Sequence, residues 1–282
     1  MDNNHENVGN IAANPQDILY LECLSGISGD MTMGALIDLG ADFKKIQEEL
    51  GKLSFDHEYA LVADRDSRSG ISGINFDVIL THDEIHHHDN TAHQHNHEHH
   101  DEAHHHDAHS HRTYMHIKSM IENSTLNDTV KKHALSIFHV IAVAEAAVHN
   151  MPIEKVSFHE VGAVDSIIDI VGTAIALDLL GNPKVYVSEL HDGQGNIRCQ
   201  HGIIPVPVPA VLKMQEKSNL PMILHSEVHT EMVTPTGFAI AEGLGATYVN
   251  APKLSIEKVG YGFGNRDTGR FPAVRAMLAK LI

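Results

Sequence analysis

Apolar residues recur along this chain in two rhythms, and the switches between them mark out its elements. ILYLECL, from Ile18 to Leu24, is a continuous apolar run of strand length, as expected of a buried strand. The small-residue turn SGISGD follows, then the apolar helix MTMGALIDLG ending at Gly40; strand, glycine loop and helix make a βα unit. A short helix is expected around Asp42 to Leu50. Two β-rich runs, roughly His57 to Asp66 and Ile71 to Leu80, pair about a turn near Gly70, and another helix lies near Tyr114 to Glu122.

Helical spacing returns from Asn127 to His149, with Val130, Ala134, Ile137, Ile141 and Val148 on one face, Asn127 as N-cap, and Asn150 then Pro152 as the stop. A second long helix covers about Ser166 to Leu180 and ends at Gly181. VYVSEL reads as a strand, IIPVPVPA (Ile203 to Ala210) as an extended Pro-rich passage, and TPTGFAIAEGLG as the opening of another helix. Strands close the chain at about Leu254 to Tyr261 and Ala273 to Leu281. The alternation predicts an α/β fold, mixed sheet layers flanked by helices.

One segment obeys neither rhythm. Between Thr81 and Arg112, fourteen of the chain's 25 histidines alternate with Asp, Glu, Asn, Gln, Ala and Ser. Its composition predicts a disordered loop, 82–111, inside a region spanning 18–282, with residues 1–17 as a disordered tail. Neutral imidazole with scattered carboxylate suits Zn, Ni and Cu better than Mg and Ca. Candidate ligands are His86, His87, His88, His93, His95, His97 and His99. The series continues through His100, His104, His105, His106, His109 and His111, and several weak, exchangeable sites are expected rather than one cage.

At 282 residues and 42% hydrophobic content, the chain can bury a substantial core as one large domain or two ordinary ones. A formal charge of −17 argues against nucleic acid or an anionic membrane surface as partner. Cys23 and Cys199 form no disulfide framework, as in a reducing compartment, and the polar N-terminus lacks signal-peptide order, so the cytoplasm is the expected location. The longest apolar stretch, near Ile170 to Leu177, falls short of the ~20 residues that span a bilayer.

Candidate chemistry concentrates in FHEVGAVDSIIDIVG, where His159 and Glu160 precede a helix that carries Asp165 and Asp169. These could hold a divalent ion or supply a general base. Asp169 reads more readily as the far end of a capping box with Ser166. In SGISGD, the residues Ser25, Gly26, Ser28, Gly29 and Asp30 could cradle a phosphate at a helix start, although no Lys makes a Walker loop, and Asp30 would repel a phosphate unless it held a metal. The repeat of SGISG at Ser69 to Gly73 is explained by a hairpin turn. Glu145 and His149 could pair at i, i+4. His191, Asp192, His201, His225, His229 and Glu231 read as structural or solvent-facing, and Arg266 in YGFGNRD could meet an anion or simply serve a turn.

Taken in order, LECLSGISGDMTMGALIDLG, the histidine-rich insert, VSFHEVGAVDSIIDIVGTAIALDLLG, HGIIPVPVPA, TPTG and VGYGFGNRD resemble the LarC family, the nickel-insertion proteins of nickel-pincer cofactor synthesis. The resemblance implies a cytoplasmic enzyme, of lyase class, that places Ni(II) into pyridinium-3,5-bisthiocarboxylic acid mononucleotide with CTP hydrolysed. The cofactor so made serves lactate racemase. By motif position it implies His159 and Glu160 as metal ligand or base, Asp165 as their neighbour, and Ser25 to Asp30 as the phosphate or bridging-metal loop. CTP, with Mg or Mn, would be bound mainly by a C-terminal half, since family proteins continue past the GYGFG region. That half and the lactate racemase apoprotein are the implied partners, with no nucleic acid and no membrane. The competing readings are a nickel storage protein or metallochaperone without catalysis and, from the His/Glu/Asp cluster alone, a metal-dependent hydrolase.

Overall fold

The computed structural model describes residues 17–81, 112–158, 164–199 and 202–282. The histidine insert, the residues 159–163 and His201 lie outside the described residues, as do residues 1–16. Eleven strands and seven helices are found among the described residues. Asp17, expected in the tail, is buried.

Seven strands form one mixed sheet. In spatial order they are β2 (Tyr59–Arg68), β3 (Ile71–Leu80), β10 (Leu254–Phe263), β11 (Ala273–Leu281), β1 (Ile18–Glu22), β4 (Lys184–Val187) and β9 (Thr247–Tyr248). β11 runs antiparallel to β1 and β10, whereas β1 and β4 are parallel. The β2–β3 hairpin turns through Ser69 and Gly70, both at positive φ, as the SGISG repeat predicts. Two smaller pairs, β5 (Leu190–Asp192) with β8 (Met222–Leu224) and β6 (Gly195–Cys199) with β7 (Gly202–Val206), lie beside the main sheet.

Alternation along β1 and β11 sends Leu19, Leu21, Val274, Ala276 and Leu278 into the main core, and Ile18, Tyr20, Met277 and Ala279 into a small cluster on the opposite face. Helix α1 (Gly29–Leu39) lies on β3, β10 and β11, with α5 (Val164–Leu179) against it. Both are buried around most of their circumference, which is why they read as apolar runs without a clear face. The longest helix, α4 (Asp128–Val148), packs on α5, α6 (Pro209–Gln215) and α7 (Pro235–Gly243). Asn127 caps α4 as expected, its Oδ1 accepting from the N–H of Val130 at 2.9 Å. The remaining helices, α2 (Phe43–Leu50) and α3 (Tyr114–Asn123), sit close to the sequence reading. The Pro-rich passage differs: it is extended only to Val206, and Pro209 then opens α6, where a proline's fixed φ and missing N–H suit a first helical position.

Close contact between α1 and β10 depends on Gly262, where an added Cβ would stand 1.8 Å from the carbonyl oxygen of Met31 and 2.3 Å from the nitrogen of Ala35. Backbone on both sides leaves nowhere to yield. Gly262→Ala is expected to destabilise the fold by about 3 kcal/mol, the range of overpacking in a core. A denaturant midpoint unchanged from wild type would contradict the close packing of this helix on the sheet.

Candidate functional site

Three helix starts meet at one cavity. Ser28, Gly29 and Asp30 from α1, Asp165, Ser166 and Asp169 from α5, and Thr234, Pro235 and Thr236 from α7 line a space of about 330 Å³, with Phe76, Asp77 and Val78 of β3, Glu231 and Arg266 completing the wall. A helix start presents backbone N–H groups with no partner in the helix and the positive end of the macrodipole. At α1 the Ser28 hydroxyl does not cap the helix; it donates to the Asp30 carboxylate instead. At α7 the Thr234 hydroxyl accepts from the N–H of Gly237 at 3.1 Å. A second, smaller cavity of about 180 Å³ shares Ser28, Asp30, Glu231, Thr234 and Arg266, and adds Ser25 and the 264–268 loop.

Gly29 is the hinge of the arrangement. A Cβ there would lie 2.2 Å from Asp169 Oδ2, so only glycine lets the start of α1 press against this carboxylate. Asp169 Oδ1 is buried without a hydrogen-bond partner. Burial first, then the neighbouring charges of Asp30, Asp165 and Asp77, hold the Asp169 carboxyl well above its ordinary range. Asp30 is also raised by burial, opposed by hydrogen bonds from Ser28 and the backbone and by the charge of Arg266. Asp165 stands at the rim with part of its surface in water. The cavity walls still desolvate its carboxyl enough to raise it, and Asp77 adds to the effect. Arg266 is the cation of the cavity: its Nη1 donates to Glu231 Oε2 at 2.5 Å and to the Glu231 carbonyl at 3.1 Å.

The mixture has a definite chemistry. Helix starts and a guanidinium suit phosphate oxygens, while crowded carboxylates suit a divalent cation whose charge relieves their repulsion. Among the described residues no three His, Cys, Asp or Glu side chains converge into a ready metal cage.

A carboxylate with a raised folded pKa binds more protons in the native than in the unfolded state, so stability falls as pH rises from the ordinary 3.8 through the raised value. Asp169→Asn removes this penalty. The variant is expected to gain about 1.4 kcal/mol at neutral pH for each pK unit by which the carboxyl is raised, with the gain vanishing toward pH 4. Thermal midpoints taken across that range check it, and an equal or lower midpoint for the variant at neutral pH would contradict the crowding.

Of the residues singled out from sequence, Ser25, Ser28, Gly29, Asp30 and Asp165 come together here. His159 and Glu160 fall outside the described residues, as do the ligand candidates of the insert. The capping-box assignment of Asp169 is corrected: α5 begins at Val164, which puts Ser166 inside the first turn rather than at the cap, and Asp169 faces the cavity. Asp77 escaped the sequence reading because nothing in a strand's alternation says which exposed position meets three helix ends. Arg266 and Glu231 were visible as charged residues, but only the fold pairs them. Glu145 and His149 do pair, at 3.3 Å, but do not line the cavity. Asp192 is structural: its buried Oδ1 accepts from the N–H groups of Gly193, Met232 and Val233 and so shapes the loop that delivers Glu231.

Among the described residues no helix is long and apolar enough to cross a membrane. No solved structure matches the chain. Curated relatives include two pyridinium-3,5-bisthiocarboxylic acid mononucleotide nickel insertion proteins. That of Lactiplantibacillus plantarum is 48% identical over 267 residues, covering 92% of this chain and 61% of the relative. That of Acetivibrio thermocellus is 46% identical over 261 residues, covering 93% and 60%. A third, from Alkaliphilus metalliredigens, bears the same name and is 42% identical over 260 residues. The chain thus spans about three-fifths of the length of these relatives. The sequence model of the nickel insertion proteins matches residues 19–281, and the chain belongs to that family.

Proposed function

We propose that this chain carries the nickel- and mononucleotide-binding part of an enzyme that inserts Ni(II) into pyridinium-3,5-bisthiocarboxylic acid mononucleotide. The observation that carries the reading is the pairing, in one cavity, of helix starts and Arg266 with the carboxylates of Asp30, Asp77, Asp165 and Asp169. The substrate has a phosphate for the first set, and its metal cargo suits the second. Thiocarboxylate sulfurs are softer ligands than aspartate, so nickel held by carboxylates passes downhill to the substrate. Two sulfurs flanking the ring bring the metal over the carbon between them, and formation of the nickel–carbon bond releases that carbon's proton. Asp165, with His159 and Glu160 a few residues before it, is the proposed acceptor of that proton.

The histidine insert His82 to His111 is the proposed collector. Its attachment points favour this: the N–H of Thr81 donates to the carbonyl of Glu58, and Arg112 pairs with the Glu58 carboxylate at 2.6 Å. Both ends of the insert therefore return to one residue, and Thr81 lies three residues beyond Val78 of the cavity wall. CTP, with Mg or Mn, belongs in this proposal to the part of the relatives that this chain does not span. Nickel-pincer cofactor for lactate racemase is the proposed product, and a lyase the proposed class.

Equilibrium dialysis of the mononucleotide against the chain tests the cavity. Arg266→Gln, which keeps a donor for Glu231, is expected to weaken binding about tenfold or more through loss of a charge-assisted contact. Binding that is unchanged in this variant would overturn the assignment of the phosphate to this cavity.

A further inference from the structure

Beyond the acidic cavity, a chain of four side chains runs across the small β5–β8 sheet. The N–H of His225 donates to the carbonyl of Asp192 at 2.9 Å and so sets its ring beside that of His191. The rings stack with centroids 4.9 Å apart and planes inclined by 20°. Glu227 Oε1 lies 3.2 Å from His225 Nδ1, His225 Nε2 lies 2.8 Å from His191 Nδ1, and Glu189 Oε1 stands 4.0 Å from His191 Nε2.

The order of protons along this chain is dictated from its outer end. Glu227 is well exposed, and hydrogen bonding by its own backbone N–H, with help from His225 and Arg270, lowers its pKa, so it is ionised and can only accept. A proton on His225 Nδ1 faces Glu227 and leaves Nε2 as the acceptor turned to His191. His191 must then carry its proton on Nδ1 and donate it to His225. What remains is a bare lone pair on His191 Nε2, in a residue only 8% exposed, with no hydrogen-bond partner and facing another acceptor, Glu189. Two acceptors facing each other call for a cation between them.

We infer that His191 Nε2 and Glu189 form a second binding site for a late first-row divalent metal ion, with His225 and Glu227 as the relay that fixes the ligating tautomer. Metal bonds of about 2.0–2.2 Å to nitrogen and oxygen span the 4.0 Å gap with the two ligands on nearly opposite sides of the ion, and a ligating imidazole that donates its other N–H to a hydrogen-bonded partner is the usual support of such a site. No third His, Cys, Asp or Glu among the described residues closes a cage around it. It is therefore an open site, filled out by water and quick to exchange. It stands independently of the acidic cavity and of the function proposed for that cavity.

Anomalous diffraction at the nickel edge tests it, on crystals of the full chain titrated with Ni(II), because position in the map separates this site from the histidine insert. The expected result is a peak about 2.0–2.2 Å from His191 Nε2, absent in His191→Gln and about tenfold or more weaker in affinity in Glu189→Gln. Nickel elsewhere in the protein with none at His191 would overturn the site, as would a peak indifferent to both substitutions. Nitrogen-15 shifts of the His191 ring in the metal-free protein give a second reading. Protonation at Nδ1 is expected, and protonation at Nε2 would refute the relay. Failure of nickel insertion leaves both readouts untouched, so the two proposals stand or fall separately.

Discussion

Replacing Asp30 and Asp169 together by asparagine is expected to lower nickel transfer to the mononucleotide by about 100-fold or more, while the chain folds at least as stably as wild type. Charged groups placed at a reacting centre typically supply effects of this size, and the proposed function puts two of them here. The second half of the expectation makes the first interpretable. Asp169 Oδ1 is buried without a partner, and its carboxyl is crowded by Asp30, Asp165 and Asp77, so these groups strain the fold rather than hold it together. A loss of activity with undiminished stability marks residues kept for a ligand. Undiminished transfer by the double variant, measured at saturating nickel, would remove the cavity from the reaction.

How much of this was legible in sequence depends on the range of the interaction involved. Strand and helix types follow from local periodicity, and so α1, α4, α5 and the β2–β3 hairpin were readable, Asn127 with its cap included. Pro209 opens a helix and does not continue the extended run before it, a difference local pattern cannot show because a proline suits both an extended segment and a first helical turn. β5, β8 and β9 are two or three residues long and carry too little pattern to stand out. In the cavity, SGISGD and Asp165 announced themselves by a glycine turn and a helix start. For Asp169 the spacing offers a local capping explanation, which a helix beginning two residues earlier removes. Asp77, Glu231 and Arg266 join only through long-range packing, which no spacing along the chain records.

Deleting residues 82–111 and joining Thr81 to Arg112 through a short glycine linker is expected to cost the protein several bound nickel ions and leave its fold intact. The insert contains fourteen histidines, and imidazole is the principal ligand type it offers. Its two attachment points are already fixed to the same residue, Glu58, by a backbone hydrogen bond and an ion pair, so shortening the connection should not disturb β3 or the start of α3. At limiting nickel, insertion should slow about tenfold, because weak sites tethered to the same chain raise the local supply of ion; at saturating nickel the rate should recover. Equilibrium dialysis counts the ions and thermal melting reports the fold. Unfolding on deletion would show that the insert is a structural element, and an unchanged nickel capacity would show that it is no collector.

The central claim is that the cavity of this chain is where nickel enters the mononucleotide. Mass spectrometry of that substrate, incubated with Ni(II), CTP, this chain and the remaining part of the Lactiplantibacillus plantarum relative expressed separately, tests it directly. The account predicts a product heavier by one nickel and lacking the ring proton, formed with the wild-type chain and lost with the Asp30→Asn, Asp169→Asn variant. Equal product when this chain is left out would contradict it, and would reduce the chain to a supplier of nickel.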